Sequence, residues 1–228
     1  MPNNSDRSVM ISGLCQLCGV GLLLLILAGC APKTVPAEAP AGEVPAVLLQ
    51  EVQSAPTEQL RGCRISETNT LQEPLRQDFA QAVALLQNGD FQAAIDQLEQ
   101  IVATQPGVSA PHIDLAIAYR KTGRSEKAEA QLKQALELVP AHPVASNEYG
   151  LLLRSAGRFT EARELYQQAL VVYPDYLPLR RNFGVLCDLY LNDPDCALEQ
   201  FRYWQAAQPE DEEAGLWLSE LQLRLGHQ

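Results

Sequence analysis

The repeat length of this chain is clearest at Ser109–Pro140, SAPHIDLAIAYRKTGRSEKAEAQLKQALELVP. Residues of the same or similar type recur 34 positions away on both sides of this stretch. The recurring sets are Pro106, Pro140 and Pro174; Gly89, Gly123 and Gly157; Ala94, Ala128 and Ala162; Leu85, Tyr119 and Leu153; and Leu98, Leu132 and Tyr166. A fixed period of this length is typical of a chain built from stacked copies of one small structural unit.

The unit itself is predicted to contain two antiparallel helices, at about 110–122 and 125–139. Gly123 lies between them, where a left-handed turn costs glycine little. Pro140 ends the second helix because proline lacks the N–H donor and clashes with the preceding turn. Ala128 is short, so the two backbones can come close together at their crossing.

Further copies of the pattern predict repeats at 75–108, 109–142, 143–176 and 177–209, followed by a covering helix at 210–226. The last repeat is one residue longer, since 35 residues separate its prolines, Pro174 and Pro209. Its glycine is replaced by Leu191-Asn192-Asp193-Pro194, where Asn192 or Asp193 is expected to cap the second helix.

The 34-residue period, with Gly, Pro and small residues at set positions, resembles the tetratricopeptide repeat, or TPR. The resemblance covers about 135 residues, 75–209. It implies an all-α fold, in which four helix-turn-helix repeats and a C-terminal capping helix form a right-handed superhelix. It also implies that the first helices of the repeats line a concave face that binds protein partners.

The N-terminus is predicted to be a signal peptide, 1–29, because its apolar run is too short for a membrane-spanning helix. The run ends in Leu27-Ala28-Gly29-Cys30, which resembles the bacterial lipobox. The resemblance implies lipidation at Cys30, with cleavage before it, and the alternative is an ordinary secretory signal with a chance cysteine. Ala31 follows the lipidated position, which favours the outer membrane, with the protein facing the periplasm.

Residues 30–70 are predicted to form a disordered tether, since prolines interrupt a run of Ala, Val, Glu and Thr that cannot bury enough apolar surface. The formal net charge of the chain is -11. An acidic chain without a basic run is a poor candidate for binding nucleic acid or anionic lipid headgroups, so nucleic acid is excluded as a partner.

The resemblance also places a set of side chains on the concave face, which we call the groove set. Its middle is apolar and one edge is basic, which suggests a partner peptide or helix with apolar anchors and some negative charge. The alternative is that the basic residues complement helix C-termini. The groove set consists of Phe79, Val83, Ile113, Ile117, Arg120, Lys121, Asn147, Leu151, Arg154, Arg181 and Val185.

The mature chain would hold four cysteines, Cys30, Cys63, Cys187 and Cys196, in an oxidising compartment. Cys187 lies late in the first helix of the last repeat and Cys196 early in the second, so a disulfide is expected between them, the alternative being two free buried thiols. Cys63 is left as a free thiol or an intermolecular link.

No pattern of a catalytic, metal or cofactor site is present. The three histidines have no metal-ligand spacing, and Asp193 and Asp195 lack the calcium-loop pattern around them. The sequence therefore predicts a scaffold, not an enzyme, without cofactor, metal or small-molecule substrate. Its resemblance to pilotin-like and Flp-pilus TPR lipoproteins implies a role in pilus or secretin assembly. The alternatives are an adaptor for cell-wall enzymes and, from another class, a thiol-redox protein using Cys187 and Cys196.

Overall fold

The computed structural model describes residues 65–226, which contain nine α-helices and no β-strand. The predictions for the signal peptide, the lipidation site Cys30, most of the tether and Cys63 lie outside the described residues. The helices are α1 (Leu75–Asn88), α2 (Phe91–Thr104), α3 (Ser109–Lys121), α4 (Ser125–Leu138), α5 (Pro143–Ser155), α6 (Phe159–Val172), α7 (Leu177–Leu189), α8 (Pro194–Ala207) and α9 (Glu212–Arg224).

The helices α1 to α8 pair as four helix-turn-helix units that stack into a superhelix. We call α1, α3, α5 and α7 the A helices and α2, α4, α6 and α8 the B helices. Successive A helices pack against one another, whereas each B helix packs against the A helices before and after it in sequence. Because the A helices are closer to their counterparts than the B helices are, the stack curves toward the A helices.

The turn inside each repeat uses a residue with positive φ. In the first three repeats this residue is Gly89, Gly123 or Gly157, with φ of 82°, 75° and 74°. In the last repeat Asn192 takes the position, with φ of 49°. Asparagine tolerates this conformation better than most residues, which explains how the turn is kept without glycine.

The A and B helices cross closely because one of them has a short side chain at the contact. The ring of Tyr166 on α6 lies over Gly150 on α5, and a Cβ atom built on Gly150 would be 2.2 Å from Tyr166 Cζ. Phe201 on α8 covers Gly184 on α7 in the same way. In the second repeat, Ala116 occupies the equivalent position and is 1% exposed.

Helix α9 covers the last repeat as the sequence analysis predicted. Trp217 on α9 packs against Phe201 on α8, with ring centroids 5.3 Å apart. The preceding junction has a comparable pair, Tyr166 on α6 and Phe183 on α7, at 5.8 Å. Trp217 is 34 positions after Phe183, so α9 occupies the place of an A helix in a fifth repeat.

The predicted disulfide between Cys187 and Cys196 is present and closes the longer turn of the last repeat. The S–S distance is 2.00 Å and the Cα atoms are 5.9 Å apart. Asp193 caps α8 by accepting a hydrogen bond from the Cys196 N–H at 3.1 Å, as the sequence analysis expected for Asn192 or Asp193. Its other oxygen accepts from Arg163 on α6 at 2.6 Å, which connects this turn to the preceding repeat.

The end of the predicted tether makes specific contacts, which the sequence analysis did not expect. The Glu67 carboxylate accepts hydrogen bonds from Ser109, from its N–H at 2.6 Å and from its hydroxyl at 3.0 Å, at the start of α3. Asn69 donates to the Gly107 carbonyl at 3.0 Å. A carboxylate at a helix N-terminus is favourable, so residues 67–72 are fixed to the α2–α3 loop although they have no secondary-structure period. Within residues 65–226, no helix has the length and apolar character needed to cross a membrane.

The contact between Gly150 and Tyr166 gives a stability prediction. The substitution Gly150→Ala should destabilise the fold by about 1–3 kcal/mol, because the new methyl group overlaps the Tyr166 ring. The double variant Gly150→Ala/Tyr166→Leu recreates the Ala116 and Leu132 pair of the second repeat and should recover most of the loss. Urea unfolding followed by circular dichroism would measure both.

A matched control is Gly215→Ala on α9, whose new Cβ would meet only the flexible side chain of Gln205, at 3.1 Å. This control should leave stability unchanged or raise it by up to about 1 kcal/mol, since alanine favours helix over glycine. Equal effects of the two alanine substitutions would contradict the role assigned to the close crossing.

His142 gives a second prediction, which concerns pH. Its ring Nδ1 accepts a hydrogen bond from the Ala145 N–H at 3.3 Å and so caps α5, and burial lowers its pKa from 6.5 to about 4. The unfolded chain takes up a proton below about pH 6.5, whereas the folded chain resists it down to about pH 4. The stabilisation from neutral His142 is therefore complete above pH 6.5 and is lost as the pH falls toward 4.

The test compares the wild type with His142→Asn, which keeps a capping side chain that does not titrate. Relative to this variant, the wild type should lose about 3 kcal/mol of stability between pH 7 and pH 4. Using the difference between the two proteins removes the contribution of every other titrating group. A difference that stays constant with pH would contradict the assignment.

Candidate partner-binding face

The groove set lies on the A helices, at equivalent positions in successive repeats. Its members differ in how far they reach the surface. Lys121 is exposed, and Phe79, Val83, Arg120, Arg154 and Arg181 are half-buried. The remaining members are buried, at 4 to 8% exposure: Ile113, Ile117, Asn147, Leu151 and Val185. The charged members are therefore nearer to the surface than the apolar middle of the set.

Arg120 of the groove set forms an ion pair inside the chain. Its Nη2 donates to Glu148 Oε2 on α5 at 2.9 Å, and the Arg120 and Glu148 side chains are 10% and 2% exposed. Burial raises the pKa of Glu148, while Arg120 acts in the opposite direction. The pair connects α3 with α5, and its carboxylate neutralises one of the cations that the sequence analysis assigned to the basic edge.

A second polar contact connects α5 with α7. Asn182 Nδ2 donates to Asn147 Oδ1 at 2.8 Å, and both side chains are buried. Asn147 in turn donates to Glu148 Oε1 at 3.4 Å. The A helices α3, α5 and α7 are thus joined by one connected chain of polar side chains, Arg120, Glu148, Asn147 and Asn182.

Comparison of the repeats shows that the Arg120–Glu148 pair occurs in full only once. The position 34 residues before Arg120 holds Leu86, and the one 34 residues before Glu148 holds Asp114. Asp114 therefore lacks the arginine that serves Glu148. Burial, followed by the nearby charge of Glu148, raises the pKa of Asp114 from 3.8 to about 7.

The next repeat has the opposite gap. Arg154 is 34 residues after Arg120, but the position that would hold its carboxylate is occupied by Asn182. The Nη1 atom of Arg154 is buried and has no hydrogen-bond partner within residues 65–226. The ring of Tyr190, which is 39% exposed, lies over this guanidinium with its centroid 5.6 Å from Arg154 Cζ.

Arg181 is also neutralised within the chain. Its Nη2 donates a short hydrogen bond to the Glu213 carboxylate on α9, and its guanidinium lies 5.4 Å from the Trp204 ring centroid. Arg181 thus joins the last A helix to α9. The basic edge predicted from sequence consequently contains two arginines with carboxylate partners, Arg120 and Arg181, and one without, Arg154, within the described part of the chain.

Sequence reasoning missed the acidic residues of this face. Asp114 and Glu148 were not assigned to the groove set, although their 34-residue spacing was a signal that could have found them. Tyr166 was assigned only to the core. It is fully buried, and its hydroxyl has no hydrogen-bond partner within residues 65–226.

No histidine is part of a ligand cluster. His112 is buried between the Gln131 side chain and the Pro106 carbonyl, at 2.6 and 2.9 Å from its ring nitrogens, and His142 caps α5. His227 lies outside the described residues. In residues 65–226 no group of three or more His, Cys, Asp or Glu side chains is arranged to hold a metal ion.

Comparison with known families and structures identifies the repeat. A model described as "Tetratricopeptide repeat" matches residues 79–110 and 113–176. No curated protein sequence matched this chain. The family model thus covers α1 to α6 almost completely, which is the part with the most regular 34-residue period.

Several solved structures have the same fold. The pilF protein of Pseudomonas aeruginosa is 20% identical, with a TM-score of 0.61 over 66% of this chain and 68% of that one. MamA of Desulfovibrio magneticus is 16% identical, with a TM-score of 0.59 over 69% and 89%. A thermophilic TPR protein of Thermus thermophilus is 22% identical, with a TM-score of 0.58 over 66% and 82%. At these identities the similarity shows the fold alone.

The Arg120–Glu148 pair gives a prediction for this face. At pH 7, Arg120→Gln should destabilise the fold by about 3–5 kcal/mol, because it leaves a buried carboxylate without its cation. The loss should be smaller at pH 5, since a protonated Glu148 no longer needs a positive partner. Denaturant unfolding at the two pH values would measure the difference.

Lys133→Gln is the matched control. Lys133 pairs with Glu129 at 2.8 Å on the surface, and its side chain is 53% exposed. A pair of this kind contributes at most about 1 kcal/mol. If Arg120→Gln were no more damaging than this control, the buried pair would not support the fold.

Proposed function

Because residues 79–176 belong to the tetratricopeptide repeat family, we propose that this chain is a scaffold whose A helices bind protein partners in the bacterial envelope. The proposal places it as a lipoprotein anchored to the outer membrane through Cys30 and facing the periplasm. The partners are components of type IV or Flp-type pilus systems or of secretins, which the chain helps to assemble.

One observation carries the binding part of the proposal. Successive A helices present side chains at equivalent positions, so the stack forms one continuous face of apolar and polar groups. A face of this kind suits an extended or helical peptide, whose anchors can each contact a different repeat. The family model that matches describes a repeat and no catalytic domain, which agrees with a binding role.

The envelope part of the proposal depends on the N-terminal sequence. Leu27-Ala28-Gly29-Cys30 resembles a lipobox, and lipidation with more than one acyl chain anchors a protein stably. The pilus assignment depends on the resemblance to pilotin-like and Flp-pilus TPR lipoproteins. The similarity to pilF of Pseudomonas aeruginosa is consistent with this assignment, although it shows only a shared fold.

Two alternatives remain from the sequence analysis. An adaptor for cell-wall enzymes would use the same face and differs only in the partner. A thiol-redox role needs an accessible, reactive thiol. Cys187 is 0% exposed and is held in the disulfide with Cys196, which disfavours that role.

Site-specific photo-crosslinking in cells tests the proposal. A benzophenone amino acid replaces Val83, a half-buried member of the groove set on α1, or Val171, which is 83% exposed on the B helix α6. We expect an adduct from position 83 and none from position 171, because only the former lies on the A helices. Mass spectrometry of the adduct should identify a secretin or pilus component.

Other outcomes have different meanings. An adduct with cell-wall enzymes would replace the pilus assignment by the adaptor role. An adduct from position 171 alone would contradict binding on the A helices. In the same cells, Cys30→Ser should abolish labelling by radioactive palmitate and release the protein from the outer-membrane fraction, and unchanged fractionation would refute the anchor.

A further inference from the structure

The charged groups of the A helices follow a pattern that the proposed function does not use. One Arg–Glu pair is complete, between Arg120 on α3 and Glu148 on α5. In the repeat register, the next pair would join Arg154 on α5 to position 182 on α7, where the chain has asparagine. Arg154 is therefore the one arginine of the groove set that has no carboxylate partner within residues 65–226.

A second donor without an acceptor lies beside Arg154. The Tyr166 side chain is fully buried, and its hydroxyl has no hydrogen-bond partner in the described part of the chain. Burial raises the pKa of this hydroxyl and the charge of Arg154 acts against the increase, so the two groups are close enough to interact. At neutral pH both are donors, and an uncharged acceptor would not balance the guanidinium.

The guanidinium can be reached from outside. Arg154 is half-buried, and the ring above it belongs to Tyr190, which is 39% exposed at the end of α7. A small movement of this exposed ring would open the side of the guanidinium that it covers. No such route leads to Arg120, whose side chain is 10% exposed, and its acceptor Glu148 is already in place.

We propose that Arg154 and Tyr166 form a subsite for a carboxylate of the partner protein, which takes the place that Glu148 occupies opposite Arg120. The inference rests on the proposed function, because it assumes that the partner binds along the A helices. It narrows the partner to a segment with an Asp or Glu side chain, or a free C-terminus, between its apolar anchors. The carboxylate receives hydrogen bonds from the guanidinium and the tyrosine hydroxyl.

The repeat register supplies a variant that blocks the subsite without removing it. Asn182→Glu should place a carboxylate opposite Arg154, as Glu148 lies opposite Arg120. The space is suitable for glutamate, because Glu148 occupies the same position of the preceding repeat in a fully packed setting. The Asn147–Asn182 hydrogen bond is lost, but the new ion pair joins the same helices, so the variant should melt no lower than the wild type.

The experiment selects ligands for the immobilised full chain from a random-peptide display library. We expect the selected peptides to carry Asp or Glu at one fixed position relative to their apolar residues. Replacing that residue by Asn or Gln in a synthetic peptide should weaken binding to the wild type at least about tenfold, measured by fluorescence anisotropy. The same replacement should have no effect on binding to Arg154→Gln, which would assign the coupling to that arginine.

Asn182→Glu should reduce the affinity for the acidic peptide to the level of Arg154→Gln. Tyr166→Phe removes only the hydroxyl and should weaken binding by a smaller factor. The matched control is Arg163→Gln, which removes a guanidinium paired with Asp193 on the B-helix side and should leave the affinity unchanged. Thermal melting of each variant by circular dichroism shows that it is folded.

The outcomes separate this inference from the proposed function. Peptides without an acidic residue, or acidic peptides bound equally by Asn182→Glu, would overturn the subsite and leave groove binding intact. Selection of no peptide, or of peptides bound equally by a variant with Val83→Glu on the A helices, would overturn both. Only an acid-dependent ligand that is lost in Asn182→Glu and kept in Arg163→Gln supports the subsite.

Discussion

Close contact between the two helices of each repeat sets the geometry of the whole stack. The contact exists because small residues occupy the crossing: Gly150 below Tyr166, Gly184 below Phe201, and alanine at the equivalent place of the second repeat. If these helices were farther apart, the B helix could not fill the space between two A helices with one large side chain. The A helices would then separate, and the contacts among their charged groups would be lost.

The core and the charged face use the same 34-residue register in different ways. At the core positions the residue type is kept from repeat to repeat, because every crossing needs the same volume. On the A helices the register holds Leu86 opposite Asp114, then Arg120 opposite Glu148, then Arg154 opposite Asn182. Each repeat therefore gives the face a different charge at the same place, which is how a uniform scaffold acquires selectivity for a partner.

The sequence was sufficient for the fold because the period recurs through the whole stack. It also placed the Cys187–Cys196 disulfide, since the two residues flank one turn. It could not give the state of the basic edge, because a list of groove positions does not show that Glu148 reaches Arg120 or that Glu213 reaches Arg181. Such pairs depend on side-chain reach between helices. The contact of Glu67 with Ser109 was equally hidden, because 42 residues separate them.

The attachment of residues 67–72 to the α2–α3 loop determines where mechanical load would enter the protein. If Cys30 is anchored as proposed, a pull on the tether first meets the hydrogen bonds of Glu67 and Asn69 with Ser109 and Gly107. The force is then shared by the first two repeats, and α1 is not peeled away alone. The segment would act as strain relief, so that a scaffold under tension between membrane and partner keeps the shape of its binding face.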